Sequence, residues 1–235
     1  MWERFIKEPS SKLVSLLGQQ YKQTGDLPTL YNLGLAVLDI GDWQRAYEIY
    51  QRHRGLIDFT GEGEFINLGL TQWFMGDHKG AIGYWQQSLE TQYTNDPVGP
   101  INGLLILWYA GQRLADDRLT KELLKKLKRF WKVQDYRVFS EWPGTIAIAG
   151  FLLDSVPEDV FLNQWKWGNL ENRRLCRANF WVGMKYLDKS RDEAAKHFNA
   201  AFSTKIAILE YEYFLAKWEY SKLTGENLWA HVDKR

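Results

Sequence analysis

Apolar residues in the first half of the chain recur at helical spacing and are broken at regular intervals by glycine and aspartate. Leu30, Leu33, Val37 and Ile40 share one face of a helix. Gly41-Asp42 ends that stripe, and Ala46, Ile49 and Tyr50 begin another. The phrase YNLGLAVLDIGD, from Tyr31, then returns as FINLGLTQWFMGD, from Phe65. In register, Asn32, Leu33, Gly34 and Leu35 stand 35 residues before Asn67, Leu68, Gly69 and Leu70. The same spacing pairs Gly41-Asp42 with Gly76-Asp77, Ala46 with Ala81 and Tyr50 with Trp85. A third copy places Asn102, Leu105, Trp108 and Gly111 in the same columns. Each copy predicts a helical hairpin. Glycine at the break can adopt the left-handed turn, and aspartate caps the next helix. Small residues at Gly34, Gly69, Ala46 and Ala81 allow two helices to cross closely.

Beyond Gly111, the positions Leu119, Leu123, Leu127, Phe130 and Trp131 predict a longer second helix. Pro143-Gly144 reads as a turn. TIAIAGFLLDS reads as a buried helix, and Ser155 with Glu158 as a capping box opening the next one, with Pro157 in its first turn. After Gly168 the hairpin pattern returns in NFWVGMKYLDKSRDEAAKHFNAAF. Gly183, Tyr186, Ala194, Phe198 and Ala201 carry it, with a linker one residue shorter, and Ser190 with Glu193 forms a second capping box. A last helix is expected over 204–223, ended by Gly225.

The pattern aromatic-x2-Leu-Gly, Gly-Asp, Ala-x3-aromatic resembles the tetratricopeptide repeat. Residues 30–57 and 65–92 match it well, 98–133 in the first helix, and 144–168 and 170–203 in degenerate form. The resemblance implies an all-α fold, a right-handed solenoid of antiparallel helix pairs with roughly ten to twelve helices. The helix over 204–223 would close it. No polar linker divides residues 1–235 into two domains.

Composition narrows the function. Hydrophobic residues make up 45% and charged residues 25%, the balance of a folding chain. Thirty basic against 29 acidic residues argue against a nucleic-acid coat or an acidic mimic of nucleic acid. The single cysteine, Cys176, excludes a disulfide framework within the chain and fits a cytoplasmic setting. No secretory leader and no membrane-spanning apolar run is read in the sequence, so membrane insertion is not expected. Twelve Trp, twelve Tyr and twelve Phe serve either a core or a binding surface.

Candidate chemistry is sparse. His53, His78, His197 and His231 lack helical metal-ligand spacing, so no metal or cofactor is expected. GEGEF, at 61–65, follows no strand and reads as a loop before a helix. No nucleophile motif surrounds Cys176, and an enzyme with a non-local site is the disfavoured reading. The basic run at Lys121, Lys125, Lys126, Lys128, Arg129 and Lys132 reads either as a docking surface or as a solvated helix face.

The resemblance points to the first helices as the wall that holds a partner. Its columns here are Tyr31, Asn32, Leu35 and Leu38; Ile66, Asn67, Leu70, Trp73 and Phe74; and Ile101, Asn102, Leu105, Trp108 and Tyr109. These describe an apolar, aromatic groove with one polar thread of asparagines, suited to a polypeptide partner. The lysine-and-asparagine clamp that chaperone adaptors of this family use for a chain-terminal carboxylate is missing: Tyr31, Leu35, Ile66 and Leu70 stand at its positions. The expected function is a non-catalytic protein-binding adaptor. The runner-up is a cytoplasmic immunity or antitoxin protein that occludes the active site of a toxin. Two arrangements remain open at this point: a groove free for a partner, or one filled by the chain's own terminal helices. End-to-end pairing of copies is compatible with either.

Overall fold

A computed structural model describes residues 9–58, 61–91, 100–133, 145–166, 170–203 and 205–229. Among these, all regular structure is helical. The helices are α1 (Ser10–Thr24), α2 (Leu27–Asp39), α3 (Trp43–Arg54), α4 (Glu62–Phe74), α5 (His78–Ser88), α6 (Ile101–Arg113), α7 (Asp117–Val133), α8 (Thr145–Leu152), α9 (Glu158–Asn163), α10 (Glu171–Tyr186), α11 (Arg191–Phe202) and α12 (Tyr211–Thr224). A 3-10 turn, Lys205–Leu209, precedes α12. The predicted turn at Pro143-Gly144 and the break at Gly168 lie outside the described residues.

Local chemistry sets the hairpin turns. Gly41 and Gly76 take φ of 83° and 87°, a region closed to most side chains. Asp42 then accepts from the Arg45 amide at 3.3 Å and Asp77 from the Gly80 amide at 2.9 Å, satisfying amides the new helix cannot pair internally. Ser190 does the same for Glu193. Three expectations need correction. Gly111 lies inside α6, packed against Thr120, and the left-handed turn falls at Ala115, with Asp116 as cap. Ser155 does not cap α9, which begins behind Pro157; its hydroxyl donates to the Leu153 carbonyl. GEGEF is the first turn of α4, where Glu64 accepts from the Gly61 amide.

The small residues matter at the crossings. A methyl group at Gly34 would stand 2.7 Å from the Tyr50 ring, and one at Gly183 2.7 Å from Phe198. A methyl at Gly69 would overlap the Trp85 indole. In all three hairpins an aromatic ring of the second helix therefore sits close against the bare backbone of the first. Successive helices pack on one another without a break from α1 to α12.

The expected single helix over 204–223 is two elements. The 3-10 turn packs on α2, and α12 reaches α4 as well as α10 and α11. The C-terminal end thus returns to the N-terminal half. Helix α1, which the repeat pattern did not anticipate, packs on α2 and has its first residue beside this junction: the Ser10 hydroxyl donates to Asp39 at 2.5 Å.

Candidate binding cleft

The wall formed by α2, α4 and α6 carries every column expected to face a partner. Leu35, Leu38, Ile66, Leu70, Trp73, Phe74, Ile101, Leu105, Trp108 and Tyr109 are buried, as are Asn32, Asn67 and Asn102; Tyr31 is half-buried. What covers the aromatic end of this wall is the chain itself. Phe74 lies 5.1 Å from Trp218 of α12, ring centre to ring centre. Trp108 meets Trp181 and Tyr109 meets Phe180, both of α10. The aromatic residues of this wall therefore lie in the interior, where ring contacts add to apolar burial. Of the two arrangements left open by the sequence, the apolar part of the groove is filled internally.

Helix α12 is fixed there by three charged side chains, each meeting a different part of the fold. Lys217 reaches α2, donating to the Asp39 carboxylate at 2.7 Å and to the Asp39 carbonyl at 3.1 Å. Glu219 accepts from the Tyr109 hydroxyl at 2.6 Å and pairs with Arg113 at 3.1 Å, both of α6. Glu212 accepts from the Arg177 guanidinium at 3.1 Å and from the Trp181 indole at 3.2 Å, both of α10. Burial pushes the Glu219 carboxyl up from its ordinary value, against the pull of Arg113 and Tyr109. Burial works against the Arg177 charge too, but Glu212 and Glu210 more than offset it and hold its pKa above normal. Sequence reading missed these groups. The available signal was the charge at Glu212, Lys217 and Glu219 within an otherwise apolar YEYFLAKWEY run.

Where the wall meets the 3-10 turn, the filling is incomplete. A cleft of about 370 Å³ opens there, lined by Tyr31, Asn67, Asn102, Thr145, Arg173, Arg177, Glu210 and Tyr211 together with Gly63, Ile66 and Leu209. Two members of the asparagine thread come together in it. Asn67 donates to the Tyr31 hydroxyl at 2.8 Å. Asn102 donates to Glu62 at 3.2 Å and accepts from Arg177 at 2.9 Å, and Thr145 donates to it at 3.4 Å. Arg173 lies at the rim, paired with Glu210 through its Nε at 2.6 Å. Burial raises the Tyr31 phenol pKa, keeping it neutral as a donor. The cleft thus presents an asparagine amide, a phenol, a guanidinium and a carboxylate within one opening. This is a hydrogen-bonding surface in which neither sign of charge dominates.

The remaining predicted positions lie elsewhere. Lys121, Lys125, Lys128, Arg129 and Lys132 are exposed on α7. Cys176 is buried in α10, where burial pushes its thiol well above the ordinary value. His53 packs against Tyr31, its Nδ1 4.0 Å from Glu64, and His197 donates from Nδ1 to the Asn179 side-chain oxygen, 2.9 Å away. Among the described residues, no group of three His, Cys, Asp or Glu side chains is arranged to hold a metal ion, and no helix is long and apolar enough to cross a membrane.

No family model matches the chain. A stretch of 99 residues is 30% identical to Pullulanase A of Streptococcus pneumoniae serotype 2 (strain D39 / NCTC 7466), covering 38% of this chain and 8% of that protein. The serotype 4 protein (strain ATCC BAA-334 / TIGR4) gives the same identity and coverage. The chain therefore spans less than a tenth of the length of the curated relatives it matches.

Proposed function

We propose that this chain is a non-catalytic, cytoplasmic tetratricopeptide-like solenoid that binds a polypeptide partner at the polar cleft. Recognition there is by hydrogen bonds to a short polar loop or chain segment. A long apolar helix does not suit it, because the aromatic part of the wall is already occupied by α10 and α12. The observation that carries this reading is the meeting of Asn67 and Asn102 with Tyr31 and Arg173 around one opening. Asn67, which donates one amide hydrogen to Tyr31, has a second amide hydrogen and a carbonyl to offer an extended backbone, while Asn102, held by Glu62, Arg177 and Thr145, shapes the wall beside it.

Co-purification of the full chain followed by mass spectrometry identifies the partner, and titration calorimetry with that partner tests the site. Asn67→Ala and Arg173→Ala are expected to weaken binding about tenfold each at unchanged helicity. Wild-type affinity in both variants contradicts the proposal.

A further inference from the structure

The α7 helix carries its charge in one line. Arg118, Lys121, Lys125, Lys128, Arg129 and Lys132 are all exposed. At 100° per residue, these six positions fall within an arc of about 100°, running along about 21 Å of helix. The opposite face holds Leu123 and Leu127, both buried, and Trp131, whose ring packs on Gly150 of α8. Among the described elements, only α6 and α8 pack substantially against α7, and the charged arc faces away from both.

Among the described residues, no acid from outside the helix pairs with this run, which stands as an exposed, solvated face. Lys126 pairs with Glu122 in the same helix at 3.0 Å. None of the six stripe cations makes an ion pair with a described residue. Helix α7 holds seven basic and two acidic residues, and the rest of the chain 23 basic and 27 acidic. The near-neutral total therefore conceals one strongly cationic helix on an otherwise acidic molecule.

We propose that this stripe is a second interaction surface, separate from the cleft and independent of it, on which an acidic α-helix of a protein partner lies lengthwise. Charge complementarity and spacing favour this occupant. The cations recur every three or four residues, so acids at i, i+4, i+7 and i+11 of a facing helix meet them turn by turn. The arc carries no exposed apolar side chain to insert between lipids. It offers no aromatic ring for base stacking, since Phe130 and Trp131 lie on the packed face.

Fluorescence anisotropy on the full chain tests this. One probe is a labelled alanine-based helical peptide with glutamates at i, i+4, i+7 and i+11; the other is its isomer with the same glutamates spread around the helix. The patterned peptide is expected to bind about tenfold more tightly, with an advantage that shrinks as salt is raised. That advantage is expected to vanish in the Lys121→Glu/Lys125→Glu/Lys128→Glu/Lys132→Glu variant. The corresponding glutamine variant serves if the first loses its helical circular dichroism. Equal binding of the two peptides, no binding of the patterned one at low salt, or full retention in the variants overturns the proposal. So does tighter binding of duplex DNA or of phosphatidylserine vesicles.

Discussion

The hairpin crossings and the α12 seam bury surface in opposite ways. At the crossings, Gly34, Gly69 and Gly183 let Tyr50, Trp85 and Phe198 lie against bare backbone. The contact is mainly apolar, and its two halves stand 15 or 16 residues apart in the chain. At the seam, Glu212, Lys217 and Glu219 carry charge into the interior and meet partners as far as 178 residues away. Apolar crossings give free energy and little selectivity, because one ring on a glycine resembles another. Three charge pairs with different partners fit only one register of α12, since any other leaves buried charge unpaired.

The largest effects are expected at the crossings. Gly69→Leu should cost about 3 kcal/mol in urea unfolding, because the buried Trp85 indole, held to the Ile66 carbonyl, has no space to move into. Gly83→Ala, on the open side of α5, should instead stabilise by about 0.5–1 kcal/mol. Equal responses at the two glycines would erase the distinction between a crossing and an ordinary helix position.

The seam comes next. Lys217→Met leaves the largely buried Asp39 carboxylate with the Ser10 hydroxyl and the Tyr213 phenol but no countercharge, a loss of about 3 kcal/mol. The double variant Asp39→Leu/Lys217→Met should be more stable than Lys217→Met alone, because no uncompensated charge is then buried. A double variant less stable than either single one would show that the pair contributes net stability rather than register.

The smallest effect is on pH dependence. Burial lowers the pKa of His53, at a hairpin crossing, and of His197, in α11, below the ordinary histidine value. Both are neutral in the folded chain and protonate more readily when unfolded. Their contribution is complete above about pH 6.5 and is lost as pH falls below it. The drop in the urea midpoint between neutral and mildly acidic pH should be shallower in His53→Gln/His197→Gln than in the wild type. An unchanged slope would assign the pH dependence to other groups.

These regions also differ in how far the sequence discloses them. Gly34 with Tyr50 and Gly69 with Trp85 stand at a repeated spacing, so the hairpins and the all-helical class can be read directly. Gly183 with Phe198 follows after allowing for the shorter linker. Gly111 misleads because its column matches Gly76 while the turn has moved to Ala115. The cleft was half legible. Asn67 and Asn102 belong to the repeat, but Arg173, Arg177 and Glu210 join them from the far end of the chain, which no local pattern encodes. The fate of the aromatic wall depended on the same long-range packing: Phe74 and Trp108 read identically in the sequence whether they face a partner or, as here, α12 and α10.

Whether α12 seals that wall in solution is decided most directly by hydrogen–deuterium exchange on the full chain, followed by peptide. Amides of 211–224 should exchange as slowly as those of α4 and α6, since a helix held by Asp39, Tyr109 and Arg177 opens only with the fold around it. Exchange of 211–224 at the rate of exposed turns, while α4 and α6 stay protected, would mean that the groove stands open and that its occupant comes from elsewhere.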